Sequence, residues 1–322
     1  MQGGAETPSA EQDRRVAEKL TRQLGDLVNA GLSDPEVTEI ILNSNGALWF
    51  ERFGRPMEQV GTMLPHEAEA IISTIASIYR TTVTFQSPKL ERELPFNGSR
   101  FVGLIPPVVA APCFTLRKKA TRVFTLAEYV ASGIATARQA DTIRAAVAAR
   151  RNILVVGGTG SGKTTLANAI IHAISEATPE HRVVMIEESV ELQCSSPNHE
   201  SLRAVEHFTT LDALRVTMRL RPDRIVVGEV RGVECLTLID AWNTGHEGGV
   251  ATVHANDARA GLTRVEALVR RAVTGAVPVH EIAAAVNLVV FITKTAEGRR
   301  IKEIVSVSGH DGSGFIFNNE DA

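Results

Sequence analysis

The sequence predicts an α/β protein: a mostly parallel sheet with helices on both faces, preceded by a smaller α+β domain. Three observations predict it. From about 141 onward, short apolar runs of strand length alternate with amphipathic stretches of helix length, the pattern of a parallel sheet with covering helices. A glycine-rich turn, Gly157-Gly-Thr-Gly-Ser-Gly162, joins the first of those strands to the first of those helices. Before 120, strand-like runs are separated by short turns, the mark of an antiparallel sheet.

In chain order, residues 1–12 are polar and are expected to form a disordered lead-in. A first domain is expected over 13–120. Val16, Leu20, Leu24 and Leu27 recur at helical spacing, with Gly31 as the expected stop. Residues 38–43 and 47–53 read as strands flanking Asn45-Gly46, the preferred two-residue hairpin turn. Pro65 opens a helix carrying Ile71, Ile72, Ile75 and Ile78 on one face. Residues 101–104 and 113–116 are further strands. A connecting region is expected over 121–140, with helices at 125–132 and 136–149. The second domain, 141–322, is expected to place strands at 153–156, 182–186, 224–228, 249–254, 287–293 and 301–307. Its helices are expected at 163–175, 210–220, 232–243, 257–273 and 278–286. Residues 312–322 read as a loose tail.

Composition is that of an ordinary globular chain, with 44% hydrophobic and 22% charged residues. The net charge of −3 gives no basic footprint for nucleic acid. Short basic runs such as Arg270-Arg271 and Arg299-Arg300 read as solvated faces. Cys113, Cys194 and Cys235 lie far apart, with no C-x-x-C pair, which suggests neither a disulfide framework nor a thiolate zinc site and fits a reducing cytoplasm. No apolar run approaches the ~20 residues of a membrane-spanning helix. Any membrane association is therefore expected through a partner or a surface.

The second domain is organised around Gly157-x4-Gly162-Lys163-Thr164. Glycines let successive N–H groups turn toward one phosphate, and the helix opening at Lys163 adds its free N–H groups and positive dipole end. Gly157, Gly158, Thr159, Gly160, Ser161, Gly162, Lys163, Thr164 and Thr165 are the expected nucleotide contacts, with Lys163 on the β/γ-phosphates and the Thr164 hydroxyl on Mg²⁺. The expected ligands are ATP and Mg²⁺. Ile186-Glu-Glu-Ser-Val-Glu-Leu192 puts Glu187, Glu188 and Glu191 at a strand end, where carboxylates hold Mg²⁺ through water or orient an attacking water. A second apolar strand, 224–228, ends in Glu229, which adds a carboxylate near the metal or the water. A third ends in His254, where an imidazole senses the γ-phosphate. Which of Glu191 and Glu229 is the base stays open.

These four blocks, 157–164, 186–192, 219–232 and 244–256, stand in one order and together resemble the Walker A, Asp, Walker B and His boxes of the secretion traffic ATPases. The wording is most similar to the conjugative-transfer branch, and the resemblance covers nearly the whole chain, including 96–100 and 114–118. Glu188 stands where that family usually has Asp. The four-Cys zinc motif and long N-terminal extension of many type II secretion and pilus-assembly relatives are not seen, which favours the shorter conjugation and type IV secretion branch. The resemblance implies a RecA-like P-loop NTPase core. It further implies a homo-hexameric ring and partners in an inner-membrane secretion or conjugation complex that is met from the cytoplasm. It also implies that Arg100, Arg117 and Arg221 supply positive charge to the departing phosphate. The implied function is an ATP-hydrolysing motor for conjugation or type IV secretion, with a pilus or type II secretion motor as its nearest alternative. A nucleic-acid translocase on the same core is disfavoured by the acidic net charge and the lack of a basic-aromatic stripe. A non-catalytic nucleotide switch is disfavoured by the set of acids.

Overall fold

A computed structural model describes residues 8–52, 55–119, 122–295 and 297–320. The chain divides into two compact units, Met1–Thr121 and Arg122–Ala322. The first comprises α1 (Pro8–Ser33), β1 (Val37–Leu42), β2 (Ala47–Arg52), β3 (Glu58–Thr62), α2 (Pro65–Ile78), β4 (Lys89–Glu93), β5 (Arg100–Leu104) and β6 (Cys113–Arg117). Its strands are antiparallel neighbours in the order β3-β2-β1-β6-β5-β4. Leu20, Leu24 and Val28 of α1 and Ile71, Ile72 and Ile75 of α2 bury their apolar stripes with Ile40, Leu48 and Phe101 of the sheet. The Asn45-Gly46 hairpin forms as its residues dictate: Gly46 has φ 81°, and the Asn45 side chain accepts from Ala47 N at 3.0 Å.

Two expectations for this unit are corrected. Part of the expected lead-in is helix, since α1 starts at Pro8; residues 1–7, like the end of the predicted strand at Phe53, lie outside the described residues. Gly31 does not stop α1. The helical path is interrupted at Gly25 (φ 71°), while a Cβ on Gly31 would lie 2.5 Å from the Phe50 ring, so this glycine serves close packing. The strands β3 and β4 were not anticipated. They are the two edges of the sheet, and their sequences, Glu-Gln-Val-Gly-Thr and Lys-Leu-Glu-Arg-Glu, carry the charge that protects an edge in place of apolar alternation.

The second unit begins with α3 (Leu126–Ala131) and α4 (Ala137–Ala148). Each is opened by a capping box, Thr125 with Glu128 and Thr136 with Gln139. Leu126, Tyr129, Ala140 and Ile143 are buried in this unit's core, so the stretch expected to connect two domains is largely part of the second. There follow β7 (Ile153–Gly157), α5 (Lys163–Ala177), β8 (Val183–Glu187), β9 (His199–Arg203), α6 (Thr210–Thr217), β10 (Arg224–Val227) and α7 (Glu234–Asn243). The chain continues through β11 (Val250–His254), α8 (Ala258–Arg270), α9 (Val279–Ala285), β12 (Leu288–Thr295), β13 (Gly298–His310) and β14 (Phe315–Asn319).

The sheet order is β14-β13-β12-β7-β11-β10-β8-β9, parallel from β12 to β9 and antiparallel at β13 and β14. Ile153 and Val155 of β7 face one apolar cluster, Leu154 and Val156 the other. Burial on both faces is why this strand reads as an unbroken apolar run. The expected loose tail is corrected by β14, which pairs with β13 (Phe317 to Val307) and lays Phe317 under the Arg259 guanidinium at 4.6 Å. Residues 321–322 lie outside the described part. The edge strand β9, His-Glu-Ser-Leu-Arg, was unanticipated for the same reason as β3 and β4.

Candidate nucleotide site

The apolar strand β7 delivers the chain to the glycine turn at the C-terminal edge of the parallel strands, the edge at which such sheets bind ligands. Two glycines are obligatory there. A Cβ on Gly157 would lie 2.4 Å from both Ile292 O and Ser161 Oγ. Gly162 has φ 98° and forms the N-cap of α5. Lys163, Thr164 and Thr165 then occupy the first turn of α5, whose N–H groups have no acceptor within the helix. The turn is therefore built to present backbone donors to an anion. Lys163 is 8% exposed, and its Nζ donates to Gly158 O at 2.7 Å.

The other parallel strands end at the same edge. Gly157 is in register with His254 of β11, Ala251 of β11 with Val227 of β10, and Val227 with Ile186 of β8. The residues that follow each strand end therefore meet. Lys163 Nζ lies 3.3–3.4 Å from the His254 ring nitrogens. His254 Nε2 is 2.9 Å from Glu229 Oε1. Glu229 Oε2 accepts from Arg231 Nε at 2.9 Å and from Nη2 at 2.5 Å, and Arg231 Nη1 reaches Glu188 Oε2 at 2.9 Å. One unbroken line of side chains thus runs from the glycine turn to the acids after β8. Burial and the Lys163 charge hold the His254 imidazolium below its ordinary range, against the pull of Glu229. The hydrogen bond to Glu229, with the charges of Glu229, Glu188 and Glu191, pushes Arg231 up.

Glu187, expected at the metal, is committed elsewhere. It is 6% exposed, and its Oε2 accepts from Glu191 N at 2.7 Å and Leu192 N at 2.9 Å. Asn168 of α5 grips the same turn, donating to Glu191 O at 3.0 Å and accepting from Gln193 N at 2.9 Å. Glu187 and Asn168 together set where the Glu191 backbone stands. Sequence reading missed Asn168, whose only signal is its place five residues after Lys163 on the loop-bearing helix. Arg231 lies inside the block 219–232, and nothing in its spacing alone gives it a role. Sequence reading assigned Arg299 to a solvated run, whereas Arg299 Nε donates to Gly160 O at 3.3 Å and its Cδ would lie 3.0 Å from a Cβ on Gly162.

Arg221 is not brought to this site. It precedes β10, whose N-terminal end is the opposite edge of the sheet from Glu229, and it is exposed with φ 54°. The buried cation at that edge is Arg224. It donates to Gly248 O at 3.1 Å, Val147 O at 3.2 Å and His181 Nδ1 at 3.1 Å, and burial lowers its pKa to about 10. Arg100 and Arg117 belong to the first unit, where they are direct cross-strand partners on β5 and β6. Glu93 pairs with Arg100 and Glu39 with Arg117, and Arg117 Nε lies 2.5 Å from Glu39 Oε1.

No three His, Cys, Asp or Glu side chains among the described residues form a ready-made metal cage. Among the described residues no helix is long and apolar enough to cross a membrane.

Residues 23–306 match the family model described as type II/IV secretion system protein. The chain is 47% identical over 294 residues to a protein described as "Probable conjugal transfer protein TrbB" of Sinorhizobium fredii, covering 91% of this chain and 90% of that one. It is 44% identical over 296 residues to the conjugal transfer protein TrbB of Rhizobium radiobacter, covering 92% and 91%. In fold it is similar to the Legionella pneumophila ATPase DotB, with a TM-score of 0.62 at 18% identity over 95% of this chain and 83% of that one.

Proposed function

The chain belongs to the type II/IV secretion system protein family, and from that premise we propose that it is an ATP-hydrolysing motor of a conjugative transfer or type IV secretion apparatus. The observation that carries the reading is the continuous line Lys163–His254–Glu229–Arg231–Glu188 at the strand ends beside the glycine turn. It joins a phosphate-binding lysine to the acids that phosphoryl transfer to water requires.

The turn 157–165 binds the polyphosphate through backbone N–H groups. Lys163 leaves Gly158 O to meet the β- and γ-oxygens. Glu188, Glu191, Glu229 and the Thr164 hydroxyl are hard oxygen donors, the type Mg²⁺ takes, and the seating of one guanidinium on two of the acids supports a cation's place there. Mg²⁺ is commonly held by one or two carboxylates together with waters and the nucleotide's own phosphates, which needs no dedicated protein cage. Mg²⁺, when bound, would neutralise charge across the β- and γ-oxygens. Glu191 or Glu229 orients the attacking water and takes its proton as ATP and water become ADP and phosphate. His254, held neutral beside Lys163 and bonded to Glu229, links occupancy of the γ-position to the Walker B acid. Glu187 is a positioning residue for Glu191. The resemblance makes Arg100 and Arg117 candidate cations for turnover.

Assembly as a hexamer with inner-membrane partners belongs to the same proposal. Its test is steady-state release of phosphate from ATP by the purified chain, with and without Mg²⁺, beside Lys163→Ala. The expected result is Mg²⁺-dependent turnover that the variant lacks while its circular dichroism is unchanged. Normal turnover by a folded Lys163→Ala protein would overturn the reading.

A further inference from the structure

We propose that Arg231 holds the place of the divalent cation on Glu188 and Glu229 in the nucleotide-free chain and is exchanged for that cation when the nucleotide arrives. The inference rests on the function proposed above and deepens it by naming what the metal must displace.

The geometry is that of one guanidinium bridging two carboxylates from different segments. Nε and Nη2 both meet Glu229 Oε2, at 2.9 and 2.5 Å, and Nη1 meets Glu188 Oε2 at 2.9 Å. The guanidinium thus occupies one oxygen of each acid, and Mg²⁺ takes carboxylate oxygens at ~2.0–2.1 Å in octahedral array. A guanidinium seated on both oxygens blocks their approach and repels a second cation at the same place. The charge argument points the same way. Glu188, Glu191 and Glu229 all act on the Arg231 charge. The guanidinium lies against the acids on this side of the line, and Lys163 stands at the other end.

The arginine is also mounted to leave. Its backbone is fixed: Arg231 N and Gly232 N both donate to Glu234 Oε1, at 2.7 and 2.8 Å, ahead of α7. Its side chain is 56% exposed, so it can swing into water without opening the core. Glu229 would stay oriented after that swing, because Oε1 keeps His254. Exchange therefore frees one oxygen on each acid and moves neither strand end. The device gives an empty site low affinity for free metal and a higher one for metal that comes with nucleotide.

The test uses Mn²⁺ alone on the nucleotide-free full chain, with unbound Mn²⁺ counted by electron paramagnetic resonance. Arg231→Ala is expected to bind Mn²⁺ at least about tenfold more tightly than the native chain, since one positive charge within ~4 Å of the carboxylates has gone. Arg231→Lys is expected to gain at least about threefold, because a point ammonium cannot span both carboxylates. Adding Glu188→Gln to Arg231→Ala should take most of the gain away. Mn²⁺ affinities of both single variants within twofold of native would overturn the proposal, and the Lys variant decides if the Ala variant fails to fold. Separate titration of the native chain with a fluorescent ATP analogue and Mg²⁺ tells the two readings apart. If the native chain binds nucleotide but the variants gain no Mn²⁺, only the exchange falls. If the native chain binds no nucleotide, the motor reading falls.

Discussion

Replacing Glu187 with Gln separates the metal role that its place beside Glu188 suggests from the turn-holding role that the structure gives it. The side chain is buried, and one oxygen accepts two backbone N–H bonds, at 2.7 and 2.9 Å. A carboxamide of the same shape keeps an acceptor there but not the charge. Hydrogen bonds to a charged group contribute ~1.5–3 kcal/mol against ~0.5–1.5 for neutral pairs, so two bonds lose ~2 kcal/mol together. For a unit running from Arg122 to Ala322, ~2 kcal/mol corresponds to a fall in melting temperature of ~4–8 °C. Glu187→Ala, which strands both N–H groups, should fall further, by ~2–6 kcal/mol. The assay is thermal unfolding followed by circular dichroism, beside the Mg²⁺ concentration that half-saturates turnover. The turn-holding role predicts a lower melting temperature with an almost unchanged Mg²⁺ requirement in whatever protein stays folded. An unchanged melting temperature with a tenfold higher Mg²⁺ requirement would refute the reasoning and return Glu187 to the metal.

Glu229→Gln and Glu191→Gln should each bind ATP within about tenfold of native, a change of ~1.4 kcal/mol, and lose most turnover; native rates in both variants would show that neither acid acts on the water. Arg221→Ala should leave turnover within about twofold, because that side chain stands at the far edge of the sheet; a large loss would return it to the site. Gly248→Ala should cost at least ~1–2 kcal/mol in backbone strain alone at φ 84°. The added Cβ would also lie 2.0 Å from Arg224 Nη1, so a melting temperature equal to native would discredit the packing described here. Acid should destabilise the second unit. His181 takes a hydrogen bond from Arg224 at 3.1 Å, and burial, then the charges of Arg224 and Arg150, depress its pKa. The unfolded chain therefore binds the proton first, so stability is lost as pH falls from above the ordinary ~6.5 toward the folded value. A flat melting temperature between pH 8 and 5.5 would count against it, and His181→Gln should reduce the slope.

The glycine turn was legible because its chemistry is local. Backbone donors from consecutive residues need only the right spacing, and an apolar run before it and an amphipathic run after it identify the strand and helix. The acids and His254 were legible for a related reason: parallel strands bring their C-terminal ends to one edge whatever their order. The edge strands β3, β4 and β9 were not legible, because an exposed edge takes polar residues in place of an apolar alternation, and β14, Phe-Ile-Phe-Asn-Asn, is too short an apolar run to be read as a strand from its pattern alone.

The sequence by itself determined the parallel sheet, the turn that cradles phosphate and the set of charged groups delivered beside it. Only the tertiary structure decided how those groups are divided. It gives Glu187 to the turn that holds Glu191 and puts Arg231 across Glu188 and Glu229. It brings Arg299 from the β12–β13 hairpin against the loop, and it removes Arg221 to the opposite edge. The physical reason is that a residue's type and its place on a strand follow from near neighbours in the chain. The partner of a charge depends on which remote side chain the packed sheet brings within about 3 Å.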